Sequence, residues 1–162
     1  MELDIGGLTA CFAKAVLADS AGANTNYSTT TAFNYALQGA AQLKAIISAT
    51  TVPTTDGNTG AAFVALQPSR RCTFVFGVNA AGTVTVYQGG ITTVDASNLP
   101  VTMGQLPQIP ATVCPFGMIT YQTSSASSAW TFGSSNFNAT GVTRLATNLS
   151  TYPSRPDSGV TA

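Results

Sequence analysis

The sequence contains no histidine and few charged residues. Six of its 162 residues are Lys or Arg and six are Asp or Glu, so 7% of the chain is charged and the net charge is zero. Without histidine the chain has neither the usual general base near neutral pH nor the commonest metal ligand of proteins. We therefore expect no enzyme, no cofactor, and no catalytic, cofactor-binding or metal-binding residue.

Other absences narrow the class of protein further. The basic residues do not cluster beyond Arg70-Arg71, whereas binding to nucleic acid depends on many contacts from Lys and Arg to phosphates. There is no run of about 18 apolar residues, so we expect no membrane span. The N-terminal MELDIGGLTACF starts acidic and lacks the basic region of a signal peptide. Nucleic acid and membranes are therefore not expected as partners.

The chain has three cysteines, Cys11, Cys72 and Cys114, and no CxxC motif. A disulfide between Cys72 and Cys114 is possible if their strands are neighbours. The odd number and wide spacing of the cysteines favour buried thiols instead, as expected of a protein that assembles in the reducing cytoplasm.

With so few charges, the surface must consist largely of Thr, Ser, Asn, Gln, Gly and Ala. A surface without net charge gives little colloidal repulsion and tends to associate. Two interpretations follow from composition: a neutral secreted or virion β-protein, or a subunit that works inside an assembly.

The clearest local pattern is a hairpin over Arg71–Gly89, RCTFVFGVNAAGTVTVYQG. Apolar and polar residues alternate along both arms, which are rich in β-branched and aromatic side chains, as in half-buried strands. Asn79 and Gly82 suit a type I turn that ends in a residue with positive φ. We predict that this hairpin is the frame of the fold, with a core formed by Phe74, Phe76, Val84 and Val86.

Two further hairpins are predicted. The first pairs residues 26–37 with residues 42–49 across a turn at Gln38-Gly39, and the second pairs residues 113–123 with residues 129–133. Val142–Leu149 is a candidate for the last strand. Three prolines between Asp95 and Thr112 exclude a central strand there, so this segment should cross the top of the fold or reach a partner.

Regular turn signals without a long helical pattern predict an all-β chain, an antiparallel β-sandwich or barrel with a jelly-roll-like order. We expect three parts: an N-terminal arm over residues 1–24, with some helix, a β-sandwich domain over residues 25–149, and a C-terminal tail over residues 150–162. If the chain works inside an assembled shell, the arms are expected to contact neighbouring subunits or the shell.

Two local motifs have a functional and a plain interpretation. Asp56-Gly57-Asn58-Thr59-Gly60 has a faint likeness to a calcium loop but lacks its further carboxylates, which favours a plain turn. Trp130 is expected in the core, although an exposed Trp130 would suit a sugar-binding protein. The arginines are expected at strand ends in solvent, with an interface as the alternative.

Taken in order, NYSTTTAFNYAL, TVPTTDGNTGAAFVAL, CTFVFGVNAAGTVTVYQG, CPFGMITYQT and WTFGSSNFNATGV resemble small virion proteins of tailed bacteriophages, of the capsid decoration or cement type. The similarity covers about residues 25–145. It implies a jelly-roll-like subunit, often a homotrimer, that assembles in the host cytoplasm, binds the major capsid protein and stabilises the outer surface of the capsid.

The alternative is a glycan-binding module of a phage fibre, a tail or an adhesin. A glycan-binding module should expose Trp130, Tyr87 or Tyr121 in a shallow groove, so the burial of these three side chains distinguishes the two functions.

Overall fold

We analysed a computed structural model of the chain, which describes residues 8–19, 25–97, 99–102 and 104–149. The described residues form no helix. They form eleven strands: β1 Ala10–Cys11, β2 Leu17–Asp19, β3 Asn26–Thr29, β4 Phe33–Leu37, β5 Ala40–Lys44, β6 Thr50–Thr51, β7 Arg70–Asn79, β8 Val84–Gln88, β9 Thr92–Thr93, β10 Val113–Thr123 and β11 Val142–Asn148.

The predicted central hairpin is confirmed as β7 and β8, which are paired from Phe74 opposite Gln88 to Val78 opposite Val84. Asn79 accepts hydrogen bonds through Oδ1 from the backbone N–H groups of Ala81 and Thr83, both at 3.0 Å. Gly82 has a φ of 75°, which glycine adopts without steric cost. The turn therefore forms for the local reasons that its sequence indicates.

The hairpin belongs to the main sheet, in which the strand order is β11-β10-β7-β8 and β9 also pairs with β7. All pairings between the described strands of this sheet are antiparallel. Two smaller sheets have the orders β1-β4-β5 and β2-β3-β6. The hairpin predicted around Gln38-Gly39 is confirmed as β4 and β5, although residues 45–49, predicted in its second strand, lie outside β5. Residues 26–29, predicted as part of its first strand, form β3 in the other small sheet.

One face of the main sheet packs against both small sheets. Phe116 of β10 lies 4.8 Å from Phe33 of β4, and Phe76 of β7 lies 5.3 Å from Tyr27 of β3, measured between ring centroids. The chain is therefore an all-β sandwich of antiparallel sheets, as predicted. The jelly-roll order is not confirmed, because the strands form three sheets with the orders given above.

The core is unusually aromatic at one end. Phe74 and Phe132 stack at 4.3 Å, and Tyr121 and Trp130 stack at 4.5 Å. Such pairs add about 1 kcal/mol each beyond the burial of their area. The predicted core residues Phe74, Phe76 and Val86 are fully buried, whereas Val84 is only partly buried and packs against the core.

The prediction of a hairpin between residues 113–123 and residues 129–133 is wrong. The whole of β11 pairs with β10, from Asn148 opposite Gly117 to Val142 opposite Thr123, and residues 129–133 do not pair with β10. Trp130 instead forms an isolated bridge with Leu66, in which each backbone N–H donates to the other's carbonyl at 2.7–2.9 Å. Tertiary packing of the aromatic side chains overrides the local preference for a short hairpin here.

The described part of the predicted N-terminal arm, residues 8–19, is part of the sandwich. β1 pairs with β4 and β2 pairs with β3, and the side chains of Cys11, Ala15 and Leu17 are buried. The predicted helix is absent from these residues. The predicted C-terminal tail, residues 150–162, lies outside the described residues. In the described part of the chain, no helix is long and apolar enough to span a membrane.

Candidate protein-binding surface

The main sheet has an inner face toward the core and an outer face. The register places three rows of side chains from β11, β10 and β7 on the outer face: Thr147, Met118 and Val75; Leu145, Thr120 and Thr73; Thr143, Gln122 and Arg71. We refer to these nine residues as the outer face. Arg71 is the only charged residue among them, and Thr73 and Thr120 share a hydrogen bond of 2.8 Å between their hydroxyls.

The outer face is covered on one side and open on the other. Val75 is buried, whereas Met118, Thr120 and Gln122 are half-buried, and Thr143, Leu145 and Thr147 are exposed. Leu145 exposes 62% of its surface. The open part, formed by β10 and β11, is thus a neutral surface of hydroxyl, amide and apolar groups.

The cover over the β8 side is the proline-rich segment of residues 95–112, which we call the crossing. Gly90 donates its backbone N–H to the carbonyl of Gln105 at 2.8 Å. A side chain at Gly89 would meet that carbonyl at 2.6 Å and the ring of Pro107 at 3.3 Å. The crossing therefore packs directly on the end of β8, where only glycine leaves room for it.

The crossing carries exposed apolar side chains. Leu99, Val101 and Leu106 each expose 62–63% of their surface. The turn before Leu99 is fixed by Asp95, whose Oδ1 accepts hydrogen bonds from the N–H groups of Ser97 and Leu99 at 2.8 and 2.9 Å. The described residues of the crossing thus present three large apolar side chains, and Pro100, Thr102 and Gly104 lie beside Arg71 and Thr73 of the outer face. Patches of this kind mark sites of interaction with other macromolecules.

Asp56, in the segment with a faint likeness to a calcium loop, forms a turn. Its Oδ1 accepts hydrogen bonds from the backbone N–H groups of Asn58 and Thr59, both at 3.0 Å, and its Oδ2 accepts one from the N–H of Gln88 at 2.7 Å. Among the described residues, no group of three or more His, Cys, Asp or Glu side chains is placed to hold a metal. The carboxylate serves to attach the turn to β8.

An ion pair between a buried carboxylate and a partly exposed guanidinium joins the two layers of the sandwich, and sequence reasoning missed it. Asp19 of β2 accepts a hydrogen bond from Nε of Arg144 of β11 at 2.7 Å and another from the hydroxyl of Tyr121 at 3.0 Å. Burial raises the pKa of Asp19 above its usual value, while the bonds from Tyr121 and the charge of Arg144 oppose that rise. No local signal connects residues this far apart in sequence.

The three aromatic side chains that a glycan site would need are not exposed. Trp130, Tyr87 and Tyr121 are all at least 98% buried, and the indole N–H of Trp130 donates to the carbonyl of Asn136 at 2.9 Å. The prediction that Trp130 lies in the core is confirmed.

The cysteines form no disulfide, and all three are buried. Burial raises the pKa values of Cys72 and Cys114 to about 12, so both remain thiols at neutral pH. The possible bridge between Cys72 and Cys114 is therefore absent, and the preference for buried thiols is confirmed.

A shallow groove of about 390 Å³ lies on the opposite side, beside β5 and β6. Ile46 and Lys44 line it, and Nζ of Lys44 donates a hydrogen bond to the carbonyl of Gly82 at 2.7 Å. The ammonium group thus has a structural role in holding the β7–β8 turn, and the groove presents no cluster of catalytic groups.

No family model, no curated protein and no solved structure matches this chain. The candidate surface therefore has to be interpreted from its own residues.

Proposed function

We propose that this protein is a structural component of a bacteriophage virion that binds the outside of the assembled capsid and stabilises it through contacts between proteins. The observation that carries the proposal is the uncharged part of the outer face formed by β10 and β11, together with the exposed Leu99, Val101 and Leu106 of the crossing. The resemblance of the chain to capsid decoration proteins supplies the identity of the partner, the major capsid protein.

The chemistry of this surface favours a protein partner. Charged residues are depleted at the centres of protein interfaces, and large apolar side chains supply their binding energy. A broad neutral surface with three exposed apolar anchors fits that description. Burying a Leu or Val side chain contributes about 1.5–3 kcal/mol, and repetition over a symmetric shell multiplies weak contacts into avidity.

Stabilisation of the shell follows from mass action. A protein that binds the assembled shell and not the free subunits shifts the equilibrium toward the shell. Specific side-chain chemistry is not required for this role. A rigid sandwich with an ordered crossing keeps the ordering cost of binding low.

The first test is electron microscopy of the phage particle that carries the protein. We expect density on the head, and clusters of three would support the trimer that the resemblance implies. Density confined to the tail would overturn the proposal and favour the fibre or tail alternative.

The second test changes the surface. Leu99→Lys combined with Leu106→Lys should lower the occupancy of the capsid at least tenfold, because it places two charges in the apolar contact. Leu43→Lys is the matched control, since Leu43 is 69% exposed and lies on β5, in a small sheet on the opposite side of the core. Equal capsid occupancy by the wild type, the double variant and Leu43→Lys would exclude the crossing as the binding surface.

A further inference from the structure

We propose that the edge of β11 is a self-association site, at which two copies of this chain pair their β11 strands antiparallel about a twofold axis through Leu145. The contact uses Leu145, which is also part of the outer face, but its test in solution does not depend on what the crossing binds. It rests on the hydrogen-bonding pattern of β11, on the side chains along its edge and on the register that those side chains permit.

The hydrogen bonds at both ends of β11 show which backbone groups face outward. Ser124 donates to the carbonyl of Gly141 at 2.7 Å, and Leu149 donates to that of Phe116 at 3.1 Å. Bonded pairs alternate along an antiparallel ladder, so Thr143, Leu145 and Thr147 bond to β10. The backbone groups of Arg144 and Ala146 therefore point away from the sheet, and no described residue hydrogen-bonds to them.

This edge lacks the usual protection against strand pairing. Natural edge strands carry charges, prolines or bulges, or another segment covers them. The sequence of β11, VTRLATN, has one charged residue and no proline. That residue, Arg144, is the one protective charge on β11, and it is already paired with Asp19 at 2.7 Å on the inner face, so it does not meet a second strand as a free charge. The contacts of β2 with β11 also use side chains, those of Arg144 and Asn148, and leave the outward backbone groups of Arg144 and Ala146 accessible.

The sequence of β11 permits a symmetric register without charge repulsion. An axis through Leu145 places Leu145 opposite its own copy as a non-hydrogen-bonded pair. Arg144 then faces Ala146 of the second copy, and the two residues exchange backbone hydrogen bonds in both directions. Thr143 faces Thr147. No arginine meets an arginine, and the Leu145 side chains, each 62% exposed, cover each other.

Pairing in this register would join the main sheets of two copies into one continuous sheet. The contact is short, below about 1,200 Å², so we expect weak association with a dissociation constant in the micromolar range. On a symmetric shell such a contact would link neighbouring copies at a twofold axis without forming rings of its own.

The first experiment is sedimentation equilibrium of the full chain. At about 200 µM, above the dissociation constant expected for so small an interface, the wild type should approach twice its mass of 16.5 kDa. Leu145→Lys should remain at the single-copy mass, because it places two like charges opposite each other. Thr143→Lys is the matched control: it adds the same charge to the same exposed face but meets Thr147, so it should still dimerise.

Variants of opposite charge at position 145 distinguish a loss of dimerisation from a loss of folding. Leu145→Glu should also remain monomeric, and mixing it with Leu145→Lys in equal amounts should restore dimers. A wild type that stays monomeric at this concentration overturns the proposal. Association of Leu145→Lys equal to that of the wild type also overturns it.

The register is tested by oxidation. In a non-hydrogen-bonded pair the Cα atoms are about 4.5 Å apart, within the range of a disulfide. Leu145→Cys should therefore yield a disulfide-linked dimer under mild oxidation. Thr147→Cys is the control, because four residues of strand, about 13 Å, separate it from its own copy. Equal cross-linking of both variants would overturn the register.

Discussion

β8 and β11 are the outer strands of the same main sheet, but the described chain covers only β8. The carbonyl of Val86 accepts a hydrogen bond from Gly57 at 2.8 Å, and the N–H of Gln88 donates to Asp56 at 2.7 Å. The Gln88 side chain also bonds to both backbone groups of Val64, at 2.8 and 2.9 Å. At β11, no described residue bonds to the outward backbone groups of Arg144 and Ala146.

A few hydrogen bonds to the outward backbone groups of β8 are enough to cover this edge of the main sheet. An unpaired edge is a template for another chain, so leaving one open carries a risk of aggregation. In this molecule a single carboxylate, Asp56, holds the closing turn against β8. The corresponding charged residue of β11, Arg144, pairs with Asp19 on the inner-face side of the sheet. The two edges are therefore suited to different tasks, one to stability and the other to association.

The largest effect is expected from Asp56→Ala at the closed edge. The change leaves the half-buried N–H of Gln88 and the N–H groups of the turn without their acceptor, which should lower the free energy of unfolding by about 3 kcal/mol. Urea unfolding measures it. The control is Asp95→Ala, which breaks a similar but exposed turn and should cost about 1 kcal/mol. Equal losses in the two variants would show that closing the edge adds no stability.

A smaller loss, about 2 kcal/mol at pH 7, is expected from Arg144→Ala, because Asp19 keeps only its bond from Tyr121. Burial already raises the pKa of Asp19, and without Arg144 it should rise further. A carboxyl whose pKa is higher in the folded state contributes stability below its unfolded pKa, which is lost as the pH rises through the folded pKa.

The loss in free energy of unfolding caused by Arg144→Ala should therefore be smallest near pH 4 and grow toward neutral pH. Urea unfolding across this pH range measures it. Arg71→Ala, an arginine on the outer face without a described ion pair, is the control and should show little change. A deficit that does not vary with pH would contradict the role assigned to Asp19.

The smallest effect is expected from Ala146→Pro. Its N–H points away from β10, so proline removes no hydrogen bond within the sheet, and edge strands tolerate it. We expect a loss below about 1 kcal/mol, measured by urea unfolding at low protein concentration. Leu145→Pro, one position away, removes a bond to β10 and should cost about 3 kcal/mol. Equal costs would show that the outward groups of β11 are misassigned.

Much of the fold was predictable where neighbouring residues determine it. The alternation of residues 71–89, with Asn79 and Gly82 at the turn, correctly indicated β7 and β8. Gln38-Gly39 correctly indicated the turn between β4 and β5, and the last strand was found at Val142–Asn148. In each case the side chains along one strand and the turn beside it carry the signal.

The predictions that were wrong concern residues whose pairing partners lie far away in the sequence. Trp130 was assigned to a hairpin with the preceding strand, but it bridges to Leu66. The sequence predicts that residues 8–19 belong to an arm with some helix, yet they contain short strands in two different sheets. A two- or three-residue strand has too few positions to show a period, so only its partner reveals it.

The candidate surface was predictable only in part. The low charge and the prolines between Asp95 and Thr112 pointed to association through neutral surfaces and the crossing. That the crossing covers the β8 side of the outer face, and that Asp56 closes the β8 edge, required the structure. These contacts join segments separated by long stretches of chain, and no sequence pattern encodes which segments meet.

The amino-acid sequence by itself determined an antiparallel β chain with a neutral surface, buried cysteines and a rigid central hairpin. These properties follow from composition, from the two-residue period of strands and from local turn geometry. Only the tertiary structure decided that β10 pairs with β11, that Arg144 turns inward to Asp19, and that one edge of the main sheet is closed while the described chain leaves the other open. Pairing between distant strands depends on which surfaces meet during packing, and packing is a property of the whole chain.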